Sequence, residues 1–340
     1  MSLLKDYDID NLTVGTVCSH SALQIFHGAR LEGFRTIGLT LPQRRTLYEA
    51  FSLGGPDALL EIGSWDEVTN KEVEDQLIQR NVIIIPHGSF VEYVGANQIL
   101  HTFRVPVFGN KASLEWESSR KKVDTWMRTA GLKVPDYKQP DEIDTLCIVK
   151  MGGAKGGRGF FLVHNEAELF EGLAGRDPST VVIQKYIVGV RYYFHYFHSV
   201  ARNRVEFLGI DQRLESNVDG LHRIQERIEP TYTVTGNAPV VIRESLLPEI
   251  MEMGEKAVAS SKQLFPPGIS GPFCIETICT PELEFFAFEI SARIVAGTNL
   301  YPNGSQYSCY YFAEPMSTGR RISREIKEAR ENGILEEVVS

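Results

Sequence analysis

The chain has 340 residues, of which 43% are hydrophobic and 23% charged, and its formal net charge is -9. That length allows two or three domains with sizeable cores, and the composition is that of an ordinary globular protein. The acidic balance argues against nucleic acid as a general partner, no apolar run approaches the roughly 20 residues needed to span a bilayer, and the N-terminus MSLLKDYDID is not signal-like, so a cytoplasmic location is expected.

Five cysteines (Cys18, Cys147, Cys274, Cys279 and Cys309), odd in number and without paired CxxC spacing, point to reduced thiols rather than a disulfide framework or a zinc site. Residues 12–31 read as a strand, a Cys-Ser-His-Ser turn and a helix with Leu23, Phe26 and Leu31 toward a core. Ser19 or Ser21 suits the helix cap, and His20 beside a helix start suits an anion; His27 reads as structural. Strand-like runs follow at Thr36 to Leu41, Ala58 to Ile62 and Val82 to Pro86, with a helical pattern from Glu67 to Gln79. Such alternation implies a small parallel sheet, and ligands of such sheets sit beyond the carboxyl ends of the strands, where His20, the Pro86-His87-Gly88-Ser89 loop and Glu92 converge.

One helix is expected over the segment from Lys111 to Gly131, where Gly and Pro signals mark a domain junction. The stretch IVKMGGAKGGRGFF follows. It places Lys150 at the end of an apolar run, then Gly152, Gly153, Gly156, Gly157 and Gly159 with Lys155 and Arg158, then a second apolar run from Phe160. Glycines let backbone N–H groups approach phosphate oxygens closely, so the stretch reads as a hairpin clamp on nucleotide phosphates. It lacks the Gly-Lys-Ser/Thr ending of a Walker loop and does not open a helix after the first strand as a dinucleotide fingerprint does. A helix over Glu166 to Leu173 and a strand over Val181 to Val188 come next, the latter a place for adenine held by backbone groups.

The run RYYFHYFHSV from Arg191 alternates as a half-buried strand, with His195 and His198 on opposite faces and so a poor metal pair. A strand over Leu208 to Arg213 leads into a polar stretch to Asn237 that contains Asp211, Arg213, Glu215, Asn217, Arg223 and Arg227 and suits a ligand-facing loop. After a helix over Leu247 to Leu264, two apolar runs flank Pro281-Glu282-Leu283-Glu284 and predict a β-hairpin. With Glu282 and Leu283 at the centre of the turn, Glu276 falls opposite Glu289, their Cβ atoms about 5 Å apart. Facing carboxylates need a proton or a cation between them, and oxygen ligands suit magnesium. Ser291 and Arg293 share that face. The tail, Thr318 to Ser340, reads as a charged amphipathic helix, either a solvated face or a subunit contact.

The order of a βα substrate part, a lysine before a glycine hairpin, a hinge strand and two late strand carboxylates resembles the ATP-grasp superfamily. The strings SHSALQI, YTVTGNAP, GPFCIE and FEISARIVAGTN are similar to those of the archaeal formate-dependent ligases acting on phosphoribosyl-aminoimidazole-carboxamide (AICAR). The resemblance implies an ATP-grasp fold of α/β and α+β parts: a substrate-binding domain over 1–108 with a small parallel sheet, a nucleotide lid over 109–190, and a core with the metal site over 191–340. It also implies a homo-oligomer whose substrates are ATP, formate and AICAR. It assigns His20, Ser89 and Asn237 to AICAR and His20 and Arg293 to catalysis. Lys150, Gly152, Gly153, Lys155, Gly156, Gly157, Gly159, Gln184 and Tyr186 go to ATP, and Glu276 and Glu289 to magnesium, or manganese in its place. One position departs from the family: Gln184-Lys185-Tyr186 stands where the hinge usually carries an acid before the aromatic. Another carboxylate-amine ligase of the same fold, or a non-catalytic nucleotide-binding paralogue, is the competing expectation.

Overall fold

A computed structural model describes residues 3–151, 160–215 and 233–340. Three sheets organise them. The first is parallel, in the order β3 (Ala58–Glu61), β2 (Arg35–Thr40), β1 (Thr13–Val17), β4 (Val82–Ile84). Every residue of β1 is buried, as a central parallel strand covered on both faces requires.

The Ala22–Leu31 helix covers one face of this sheet and the Thr318–Glu331 helix packs over it. The two cross so closely that a Cβ on Gly28 would lie 2.2 Å from Arg320 N, and one on Gly319 would lie 2.2 Å from Gln24 O. Only glycine fits at either side of that crossing. The charged tail is therefore neither a solvated face nor a free helix. Arg321 and Glu325 are fully buried, and Arg321 Nε lies 2.7 Å from Glu206 Oε2. Leu31 was expected in the core, but the buried stripe of its helix runs through Ala22, Ile25, Phe26 and Ala29, which leaves Leu31 out of phase and exposed.

The second sheet is antiparallel, in the order β10 (Val234–Pro239), β9 (Arg204–Glu215), β8 (Val190–Ser199), β11 (Gly271–Cys279), β12 (Phe285–Ser291). The Leu247–Leu264 helix and the Arg120–Thr129 helix pack on it around Trp126, Phe194, Tyr196, Phe207, Phe273 and Phe285. Trp126 is wholly buried and donates its indole N–H to Ala257 O at 2.9 Å. β8 is buried on both faces from Tyr193 to Ser199 rather than on one, because Phe197 packs into the core beneath the parallel sheet while Phe194 and Tyr196 pack into the larger one.

The single helix expected after Lys111 is two, Lys111–Glu117 and Arg120–Thr129, the second capped by Ser119. The third sheet, β6 (Phe160–Val163), β5 (Cys147–Met151), β7 (Val181–Lys185), is antiparallel, with the Glu166–Leu173 helix against it. Among the described residues, no helix is long and apolar enough to cross a membrane.

Candidate active site

The parallel sheet and the five-stranded sheet meet where His87, just past β4, pairs with Ile294, just past β12. That bridge brings the carboxyl end of the parallel sheet against the carboxylates of the hairpin. Glu276 and Glu289 face each other across β11 and β12, as the alternation predicted. The register reaches that pairing by another route, because nearer the turn Thr277 pairs with Ala287 and Phe288 is an extra, bulged residue. The turn sits half a step from the expected centre, and the bulge restores the pair.

Burial and the negative charge of its neighbours act on these groups in different ways. The Glu276 carboxylate is buried and accepts both terminal nitrogens of Arg213, at 2.6 and 3.1 Å. Arg213 in turn lies 3.7 Å from the centre of the Tyr193 ring. Glu289 opens onto the cleft with no such partner, and the charge of Glu276, then its protein surroundings, push its carboxyl up to about 7. A cation between the pair would relieve that repulsion, so the donor set fits a divalent ion. Among the described residues no third His, Cys, Asp or Glu joins them.

Arg293 leaves β12 toward the same cleft. Its Nε lies 3.3 Å from Glu117 Oε1, and Glu117 also accepts the backbone N–H of Ala292. Burial raises the Glu117 carboxyl despite the nearby guanidinium. The His20 imidazole and the Arg293 guanidinium both crowd onto Gly88: a Cβ there would sit 3.0 Å from His20 Nε2 and 3.5 Å from Arg293 Cζ.

His20 has a φ of 53°, a region L-residues rarely occupy, and Asn299 Nδ2 holds its carbonyl at 3.2 Å. Its ring stacks on that of His87, with centroids 5.2 Å apart. His87 Nδ1 accepts the Phe90 N–H at 3.2 Å, so Nε2 carries the proton and donates to Val17 O at 3.0 Å. Burial lowers His87 to about 4; burial, then the charges of His87, Arg293 and Arg213, lower His20 to about 2. Both imidazoles are therefore neutral near pH 7. A cavity of about 630 Å³ opens beside His20, lined among others by Gln24, His27, Phe51 and Asn299.

Of the remaining expected residues, Ser89 accepts a hydrogen bond from Ser19 at 3.0 Å, and Ser21 heads the Ala22–Leu31 helix without capping it through its side chain. Asn237 lies on β10 opposite Arg213, with its amide against Asp211. Its neighbours Asp211, Arg213 and Glu215 are strand residues rather than loop residues. Lys150 Nζ donates to Gln184 Oε1 at 2.7 Å. The adenine strand ends at Lys185, earlier than expected. The N–H groups of Lys185 and Tyr186 are already bonded to Asp136 O and Leu146 O, so the expected backbone hold on adenine has neither of them. The Lys185 side chain is exposed. Gly152, Gly153, Lys155, Gly156, Gly157, Arg158 and Gly159 lie outside the described residues, as do Asn217, Arg223 and Arg227.

Family models described as a domain of unknown function (DUF1297) and a protein of unknown function (DUF1246) match residues 166–340 and 14–137. The chain is 50% identical to the 5-formaminoimidazole-4-carboxamide-1-(beta)-D-ribofuranosyl 5'-monophosphate synthetase of Ignicoccus hospitalis, over 99% of this chain and 98% of that one. It is 41% identical to the synthetase of the same name from Methanocaldococcus jannaschii, over 100% and 98%. This chain belongs to that synthetase family. A solved relative, the IMP biosynthesis protein PurP of Thermococcus kodakaraensis, superposes with a TM-score of 0.79 at 32% identity, covering 96% of this chain and all of that one. The ADP complex of an N5-carboxyaminoimidazole ribonucleotide synthetase, at 14% identity and a TM-score of 0.64 over 93% of this chain and 76% of that one, shares the fold. The chain is a ligase with the ATP-grasp fold, as its sequence suggested.

Within this synthetase, the residues that sequence reasoning missed are those acting through others. Glu117 sits on a helix far before the arginine it holds, 175 residues ahead of Ala292 whose N–H it also accepts, with no motif around it. The loop of His87 was placed at the strand ends, but not its role as cap of the Gly88–Val94 helix, since histidine is not a usual cap.

Proposed function

We propose that this synthetase joins formate to the 5-amino group of AICAR at the expense of ATP, giving the 5-formamido nucleotide, ADP and phosphate. The observation carrying the reading is the convergence of His20 and Arg293 on Gly88, beside the facing carboxylates Glu276 and Glu289. A formate oxygen attacks the γ-phosphorus of ATP and ADP leaves. The amine then attacks the carbonyl carbon of the resulting formyl phosphate, phosphate departs, and the nitrogen sheds one proton.

Each residue has a part. Arg293, held by Glu117, faces the charge that builds on the transferring phosphoryl group. Lys150, with the glycine loop after it, holds ATP phosphates. Ser21 Oγ leans on Val295 O and lies 2.8 Å from His20 Nδ1, which leaves His20 Nε2 to accept an N–H of the amine and orient its lone pair. Asn237 and Ser89 complete the nucleotide contacts. Glu276 and Glu289 would hold magnesium or manganese, which supplies charge neutralisation at the phosphates when bound. The parts 1–108, 109–190 and 191–340 serve as substrate domain, lid and metal-bearing core. The enzyme works in the cytoplasm as a homo-oligomer on small molecules alone.

Formate labelled with 18O tests the formyl phosphate step. One labelled oxygen must appear in inorganic phosphate for each nucleotide formylated, and label-free phosphate would exclude that route.

A further inference from the structure

The chain turns at His20 in a conformation that needs support. The φ of His20 is 53° and that of Ser21 is -111°, and Ala22 N closes the turn by donating to Ser19 O at 3.0 Å. A positive first φ followed by a negative second is the type II′ pattern, whose first central place ordinarily falls to glycine. The carbonyl at the middle of the turn is that of His20, and Asn299 Nδ2 donates to it at 3.2 Å. Asn299 is exposed at the rim of the cavity beside His20, so its amide needs a partner of its own to keep the nitrogen turned inward.

Gln24, buried one turn further along the helix, is that partner. Its Nε2 donates to Asn299 Oδ1 and to Thr298 Oγ1, each at 2.7 Å, and its Oε1 accepts the Gly319 N–H at 3.3 Å. Gly319 lies in the first turn of the Thr318–Glu331 helix, where main-chain N–H groups have no partner inside the helix. A main-chain N–H only donates and a main-chain carbonyl only accepts. Gly319 N–H at one end and His20 O at the other therefore demand the same direction of both amides between them.

A branch of this chain reaches the imidazole. Thr298 Oγ1 takes the second hydrogen of Gln24 Nε2 and donates to Val295 O at 2.7 Å, while Ser21 Oγ points at the same carbonyl from 3.5 Å. A Ser21 hydroxyl turned that way offers its lone pairs to His20 Nδ1 at 2.8 Å, which puts the imidazole proton on Nδ1 and leaves Nε2 an acceptor. Thr298 and Ser21 are both buried, out of competition with water.

We propose that Gln24 and Asn299 are positioning residues for His20, carrying a one-way chain of hydrogen bonds from the start of the C-terminal helix to the main chain and the tautomer of the imidazole. This rests on the reading of His20 Nε2 as the group that orients the amine of AICAR. It adds that the packing of the Thr318–Glu331 helix on the Ala22–Leu31 helix sets the aim of that group.

The test measures formylation by single and paired variants, with and without the imidazole. Gln24→Glu and Asn299→Asp keep the shape but put an acceptor where the chain needs a donor. Each is expected to lower kcat about tenfold with the KM for ATP unchanged, and the two together by little more, since one break opens the chain. The uncharged Asn299→Leu should match Asn299→Asp. His20→Ala keeps the turn and removes the ring; its kcat is expected to fall about 100-fold, and neither Gln24→Glu nor Asn299→Leu should lower it further. Should Gln24→Glu fail to fold, the exposed Asn299 carries the same comparison. Full rates in the Gln24 and Asn299 variants overturn the chain, as do losses of equal size with and without the ring, which would mean packing alone. A His20→Ala enzyme as fast as the native one overturns the reading of His20 and the chain with it.

Discussion

Asn237 Nδ2 lies 2.6 Å from Asp211 Oδ2, and that contact decides which end of the amide is left for a ligand. A carboxylate only accepts, so the nitrogen of Asn237 must face it and Oδ1 remains to accept an N–H of a nucleotide. The other oxygen of Asp211 is 2.7 Å from His195 Nε2, with both side chains almost wholly buried. Asp211→Asn removes the constraint on the amide. It is expected to raise KM for AICAR about tenfold, roughly 1.4 kcal/mol of binding, with a smaller change in kcat and none in the KM for ATP. Steady-state kinetics on folded protein decides this, and an unchanged KM for AICAR would detach Asn237 from the nucleotide.

The carboxylate pair yields a prediction of opposite sign for stability and activity. Without metal, Glu276 and Glu289 repel, and a carboxyl raised from 4.5 to about 7 costs stability progressively as pH rises between those values, in full above about pH 7. Glu289→Gln should therefore raise the melting temperature of metal-free protein at pH 8 by roughly 1–3 °C. The same variant should lose the added stabilisation by magnesium and ATP, and lose ligation. Calorimetry with and without magnesium reads both, and a variant that still gains stability from the metal would remove Glu289 from its ligands.

Glu117 has no contact with substrate in this account and acts by holding Arg293. Glu117→Gln keeps the shape but loses the charge that fixes the guanidinium. A fall in kcat of about 10- to 100-fold is expected, with KM for ATP nearly constant. If KM for ATP rises while kcat holds, Arg293 serves binding rather than phosphoryl transfer.

Acid sensitivity follows from His87. Its folded value near 4 lies below the ordinary 6.5, so the unfolded chain takes up the proton first as pH falls. The stability contributed by neutral His87 is complete above about pH 6.5 and is lost progressively toward pH 4. That loss amounts to about 2–3 kcal/mol by pH 4.5. His87→Asn retains an acceptor for the Phe90 N–H but cannot titrate, so its stability should fall less steeply between pH 7 and 4.5. Parallel urea titrations of the two proteins should converge toward acid, and curves that stay parallel would contradict the assignment.

How much of this was legible in the sequence depended on range. The facing carboxylates could be read because a hairpin has a two-residue period and one short turn. The bulge at Phe288 could not be seen, and the pairing emerged correctly only because the bulge offset the shift in the turn. The place of His20 and Ser89 could be read through a rule about strand ends that needs no side-chain detail. Partners far apart in the chain left no local trace. Glu206 and Arg321 are 115 residues apart and fully buried together, so the charged tail looked solvated.

The most direct measurement is product formation by the purified protein with ATP, magnesium, formate and AICAR, with ADP release followed in parallel with mass spectrometry of the nucleotide. The formamido nucleotide and equimolar ADP are expected only when all four are present, with larger carboxylic acids rejected. Absence of that product, with ATP and AICAR both bound, would contradict the proposed reaction.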